Sequence, residues 1–274
     1  MNVEVKKENE TIFEDQVLNS QKALWLRPAS EVKPEEYNEF YQHLTHDWQT
    51  PAKHIHYKAE GTSEFTALIY LPSKKPWNYQ MKEYEFGLNL YIKRVFIMEN
   101  CKDLLPPYLR FVKGLVDSSD LSLNVSRELL QQDRLVTQIR KSVVAKVFAT
   151  LKDWLAKDRQ AYETFWSEFG TTLKEGIPTD SSQIEKIQDL LLFKSTNSTE
   201  LTTLDEYVLR MKPEQKEIYF ITGERLDAVQ HSPYLEKLKE KGYEVLLLTD
   251  VVDEWLTQSL TQFKEKNMVS ITKE

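Results

Sequence analysis

Between Gly114 and Gly170 the chain contains neither glycine nor proline. These two residues interrupt helices most strongly, so a gap this long commits the region to long helical structure. The apolar positions Leu129, Leu130, Val136, Ile139, Val143, Val147, Leu151 and Trp154 keep roughly helical spacing, and Ser126 is placed to cap the start. Glycine is sparse everywhere: seven in 274 residues, none spaced G-x-G. The closest pair, Gly170 and Gly176, is followed by Ile177 rather than by Lys and Ser or Thr. The chain therefore carries neither a dinucleotide fingerprint nor a P-loop, and any work with a nucleotide is done without a glycine cradle of its own.

On either side of the long helix the pattern changes. Residues 1–20 are polar and weakly periodic, and read as an extended or loosely ordered leading segment. Pro34 before Glu35 and Glu36 marks a helix first turn, and Tyr37, Phe40, Tyr41 and Leu44 carry it to about Thr45 on one face. Phe65 to Leu71, Leu88 to Ile97 and Phe111 to Val116 read as strands. Ser182-Gln183-Ile184-Glu185 and Thr203-Leu204-Asp205-Glu206 are capping boxes. Glu217 to Thr222, Tyr243 to Leu248 and Met268 to Ile271 alternate with helices over Ser232–Gly242 and Asp253–Phe263, which predicts a small α/β unit with parallel strands.

Charge and cysteine narrow the classes. Thirty-six basic against 43 acidic side chains leave the chain at −7, with a pI near 5.5. That balance argues against a nucleic-acid partner. Cys101 is the sole cysteine and cannot form an internal disulfide, which fits a reducing compartment. The start of the chain has no apolar signal region, and stretches such as Val245–Leu248 are far too short to span a membrane. A cytoplasmic protein with neither membrane nor nucleic-acid partner is expected.

Candidate chemistry is thin. His43 and His46 stand three apart with His54 and His56 nearby, but without a cysteine or an H-E-x-x-H partner they read as surface histidines, and no metal is expected. Nothing around Cys101 supports a nucleophile. Trp25 and Trp77 lie in proline-flanked segments, where a tryptophan either stands exposed as an anchor or pins its loop to the core. Arg127 falls at the start of the long helix, where a cation opposes the dipole. With free helix N–H groups, and with Gln131 on the same face, it forms an anion site; paired with Glu128, it is merely solvated.

The ten residues Leu123-Asn124-Val125-Ser126-Arg127-Glu128-Leu129-Leu130-Gln131-Gln132 resemble the hallmark of the middle segment of heat-shock protein 90 chaperones. So do Trp25-Leu26-Arg27-Pro28, Tyr91 to Ile97, Phe111 to Ser118, Ile218 to Glu224, Ser232 to Leu235, Gly242 to Asp250 and Asp253-Glu254-Trp255. With no long acidic linker before Trp25, the chain looks more like a bacterial member than a eukaryotic cytosolic one. The resemblance implies an α/β fold in parts: a larger αβα sandwich subdomain of the ribosomal protein S5 domain 2 type over 21–158, a helical connector over 159–212, and a smaller α/β subdomain with a mostly parallel sheet over 213–274. It further implies that Arg127, assisted by Gln131, reaches the γ-phosphate of ATP and magnesium held by an N-terminal domain outside this chain, so that this segment alone binds no cofactor and hydrolyses nothing. Client proteins are implied at Trp25, Trp77, Glu254 and Trp255. A C-terminal domain would make the whole stress-response chaperone a homodimer, with this segment monomeric. The competing reading is a standalone protein-binding adaptor without an ATPase cycle. A nucleotide enzyme built on the final α/β unit, at Thr222-Gly223-Glu224-Arg225, is weaker still.

Overall fold

A computed structural model describes side chains for residues 22–61, 63–123, 130 and 133–272, and backbone alone for 2–7 and 10–15. Strands β1 (Asn2–Lys7) and β2 (Glu10–Asp15) pair antiparallel, so the described parts of the leading segment are extended and paired. Strands β3 (Lys53–Ala59), β4 (Phe65–Leu71), β5 (Leu88–Ile92), β6 (Val95–Cys101) and β7 (Lys113–Ser118) form a five-stranded sheet ordered β3-β4-β7-β5-β6. Only the β5–β7 pair is parallel.

Strand β4 is buried along its whole length because both faces of the sheet are covered. Phe65, Ala67, Ile69 and Leu71 enter the main core. Leu68 and Tyr70 face the other way, with Leu115, toward Tyr37 and Tyr41 of helix α1 (Pro34–Thr45). A Cβ on Gly114 would overlap the Leu68 carbonyl, so the close approach of β7 to β4 requires glycine there.

Two strand readings are corrected. Leu88 to Ile97 is not one strand but the β5–β6 hairpin, turned at Lys93 and Arg94 with φ of 48° and 69°. Both residues occupy the left-handed region that such a two-residue turn requires. Neither is the glycine or asparagine that announces it; instead Lys93 N–H donates to the Ser118 carbonyl (3.0 Å) and Arg94 N–H to Asp117 Oδ1 (3.1 Å). Strand β7 starts two residues later than expected, since Phe111 and Val112 are spent filling the core ahead of it. Strand β3 was not legible at all, because only Ile55 of its seven residues is buried.

Helix α1 keeps its expected limits. Helix α2 (Arg134–Lys157) starts at an Asp133 cap, whose carboxylate accepts from Leu135 N–H at 2.7 Å, rather than running unbroken from Ser126. Ser126 itself lies outside the described residues. Helix α3 (Arg159–Lys174) folds back through the Asp158 cap and stacks Tyr162, Phe165 and Phe169 against Trp154 and Phe111. Two short helices, α4 (Gly176–Thr179) and α5 (Ile184–Gln188), follow. The Thr203 capping box forms on α6 (Leu204–Arg210), with Glu206 N–H to Thr203 Oγ1 at 3.1 Å and Thr203 N–H to Glu206 Oε2 at 2.8 Å. The Ser182 box does not form: its hydroxyl donates to Asp180 at 2.7 Å, and Gln183 precedes α5 without a side-chain cap.

The last unit holds β8 (Lys194–Ser195), β9 (Ile218–Thr222), β10 (Val245–Leu248), β11 (Gln262–Phe263) and β12 (Lys266–Ser270), ordered β11-β12-β9-β10-β8. The β12, β9 and β10 strands are parallel, as the strand–helix alternation predicts. Helix α7 (Leu226–Gln230) follows β9. The Ser232–Gly242 helix divides into a tight turn over Pro233–Leu235 and α8 (Glu236–Lys241), closed by Gly242 at φ 66°. Helix α9 (Asp253–Ser259) stops short of Phe263, which is taken into β11. One hydrophobic cluster joins Ile69 and Val116 of the large sheet, Val147 and Phe165 of the long helices, Leu191 of the connector, and Phe220, Leu246 and Leu256 of the last unit. No helix among the described residues is long and apolar enough to cross a membrane.

Candidate functional site

Arg127 and Gln131 lie outside the described residues. The chain ahead of them is anchored, with Leu121 buried, Ser118 Oγ accepting from Leu121 N–H at 3.3 Å and Asp120 accepting from Glu64 N–H at 2.6 Å; Leu130, between the two, is buried.

The two loop tryptophans part company. Trp25 is only 9% exposed; its ring packs on Tyr91 and Phe40 with centroids at 4.9 and 5.8 Å. Its indole N–H donates to Asp117 Oδ2 at 2.9 Å, the carboxylate that also holds the β5–β6 turn. Its carbonyl accepts from His56 Nε2 (2.9 Å), and the other ring nitrogen of His56 is hydrogen-bonded with the Tyr37 hydroxyl (2.8 Å). Trp25 is thus the pin of its loop rather than an exposed anchor. The nearby histidines are packing groups too, with His54 stacked on Tyr37 at 3.9 Å.

Trp77, by contrast, is 86% exposed. It borders a groove of about 720 Å³ lined by Tyr41, His46, Pro72, Trp77, Tyr84 and Lys113, among others. Trp48 is equally exposed just beyond α1, and no sequence signal distinguishes it. Lys113 opens β7 in this groove; its Nζ donates weakly to the Glu85 carbonyl (3.4 Å) and sits 4.8 Å from the Tyr84 ring. Burial brings its ammonium down to a pKa of about 8.

A second apolar surface stands on the last unit. Trp255 is 57% exposed, next to exposed Glu254 and near exposed Val251. The helix that carries them is locked from beneath. Asp253, at its start, is buried and lies 2.9 Å from Lys174 Nζ of α3. Lys174 also reaches Asp250 at 2.8 Å, and Asp253 Oδ2 accepts from Asp250 N–H at 2.9 Å. Burial pushes the Asp253 carboxyl up from its ordinary range, with the Lys174 charge opposing.

The Hsp90 protein family profile matches residues 1–274. The chain is 69% identical over 261 residues to the chaperone protein HtpG of Bdellovibrio bacteriovorus, covering 95% of this chain and 42% of that one. It is 52% identical to HtpG of Geobacter sulfurreducens, over 94% of this chain and 40% of that one. Among solved structures, the middle domain of a Plasmodium falciparum heat-shock protein matches with a TM-score of 0.83 at 30% identity, over 91% of this chain and all of that domain. The fold is therefore that of a chaperone middle domain. The chain belongs to the Hsp90 family, with the bacterial HtpG chaperones among its relatives, and spans about two fifths of their length.

Proposed function

We propose that this chain is the segment of an ATP-dependent chaperone that holds client polypeptides and completes the ATPase site of a neighbouring N-terminal domain. The exposed indole of Trp77 carries the client reading. A large aromatic left in water on a proline-held loop, over a groove, is the feature from which polypeptide-binding surfaces are built. Trp255 and Glu254 extend that reading to the last unit. Trp25 enters it as support, pinning its own loop to β7 through Asp117 rather than touching the client.

Arg127 is the group that reaches the γ-phosphate, with Gln131 beside it; ATP and magnesium belong to the N-terminal domain. The resemblance of the surrounding ten residues supports this assignment. A guanidinium delivered to the transferring phosphate stabilises charge that develops in the transition state. In related phosphoryl-transfer enzymes such an arginine changes rate by about 10³–10⁵. A smaller effect is expected here, because domain closure limits turnover. Dimerisation through a C-terminal domain and action on clients in the cytoplasm complete the reading.

Mixing this chain with the cognate N-terminal domain should raise ATP turnover over either part alone, and Arg127→Ala should remove the gain. Stimulation that survives Arg127→Ala would sink the arginine assignment while leaving the client reading intact.

A further inference from the structure

We propose that the groove beside Trp77 takes an acidic–aromatic stretch of a client polypeptide, its carboxylate seated on the Lys113 ammonium and its ring against the Trp77 and Tyr84 side chains. This rests on the reading of Trp77 as a client-holding surface.

The inference starts from a comparison of two ammonium groups drawn in from the surface, Lys174 and Lys113. Lys174 is buried and paired with two carboxylates, at 2.8 and 2.9 Å. Lys113 is only half-buried, and its contacts are a carbonyl at 3.4 Å and an aromatic face at 4.8 Å, neither of which carries a charge. Among the described residues, no carboxylate forms an ion pair with it, and burial is the one cause behind its lowered pKa. An ammonium has three protons to donate, and the Glu85 carbonyl takes one of them, weakly. A half-desolvated cation with protons to spare, in an open groove, is a receptor for an anion.

The groove's own acids do not fill that role. Asp47 is committed to the Tyr41 hydroxyl and the Gln49 N–H, both at 3.0 Å. Glu83 and Glu85 are exposed side chains. Lys74 and Lys75 line the same groove, so its overall charge is mixed. The attraction is therefore local: it selects one carboxylate rather than acidity in general. The aromatic component follows from Trp77 and Tyr84, whose rings offer apolar area and ring contacts to a neighbouring side chain. A groove of about 720 Å³ has room for a few residues of extended peptide.

The test is fluorescence anisotropy with two fluorescein-labelled dodecapeptides, identical except that the pair of Asp residues beside a central Phe is replaced by Asn in the second. The chain should bind the Asp peptide about tenfold more tightly, the scale of one charge-assisted hydrogen bond. Lys113→Gln should bring the ratio to about one, and Lys113→Arg should preserve it. Trp77→Ala should weaken both peptides alike. The preference should fade as pH rises past the Lys113 titration. Equal binding of both peptides by the wild type, or a ratio unchanged in Lys113→Gln, overturns this proposal alone. Binding that ignores Trp77→Ala, or no binding at all, overturns the client reading of the groove and this proposal with it. A thermal melt of each variant separates loss of the contact from loss of the fold.

Discussion

Asp117 does two jobs that no stretch of local sequence records. Its Oδ2 takes the Trp25 indole and its Oδ1 the Arg94 N–H, so one buried carboxylate fixes both a loop and a hairpin turn. Removing it leaves two donors without an acceptor, each costing about 1–3 kcal/mol where buried. Asp117→Ala is therefore expected to lower stability by about 2–4 kcal/mol and to abolish the protection of the Trp25 indole proton against exchange. An indole proton that stays protected would show that ring packing alone holds the loop. The two readings of Trp25, anchor or pin, were equally open in the sequence because its deciding partner lies 92 positions away. The same two readings stay open for Trp77 in the sequence, and the structure leaves that ring 86% exposed. Lys113 was invisible as a site residue, because Phe111 to Val116 reads simply as a strand.

Elements were legible where their signals are local. Pro34 followed by two acids gave α1 its start, and the Thr203–Glu206 pair gave α6 its cap. They were illegible where a long-range contact replaces the local signal, as in the β5–β6 turn held from β7. The lock under α9 is of the second kind, since Lys174 reads as a surface lysine at the end of α3. Lys174→Met would leave Asp253 buried without its cation, and a loss of about 3–5 kcal/mol is expected. The folded-state pKa of Asp253 lies above its unfolded value. Its ionisation therefore opposes folding, and the cost grows as pH rises from the unfolded to the folded pKa. The variant should accordingly lose less stability at pH 4 than at pH 7, as read from urea midpoints. Lys174→Met combined with Asp253→Leu should recover much of the loss. An identical loss at both pH values would mean that the pair contributes packing rather than charge.

At the scale of the whole chain, the sequence suggests parts: a large unit, a connector and a small unit. The pattern of strands and helices supports that division, but it cannot show which faces meet. In the structure Phe220, Leu246 and Leu256 of the last unit share one cluster with Ile69 and Val116 of the first sheet. Joined through that one cluster, the parts are expected to unfold together. Urea titrations followed by far-ultraviolet circular dichroism and by the Trp255 indole resonance should coincide; an earlier loss of the Trp255 signal would make the last unit a separate cooperative block.

The Asp117 contact also sets an order in time. Its indole donor lies 92 positions ahead of its carboxylate, which sits in β7 between β4 and β5. Closing so long a loop is slow, and it is rewarded only once those strands have paired. The Trp25 segment is made early and docked late. During synthesis it waits, with its largest apolar side chain uncovered, until residues far downstream have emerged.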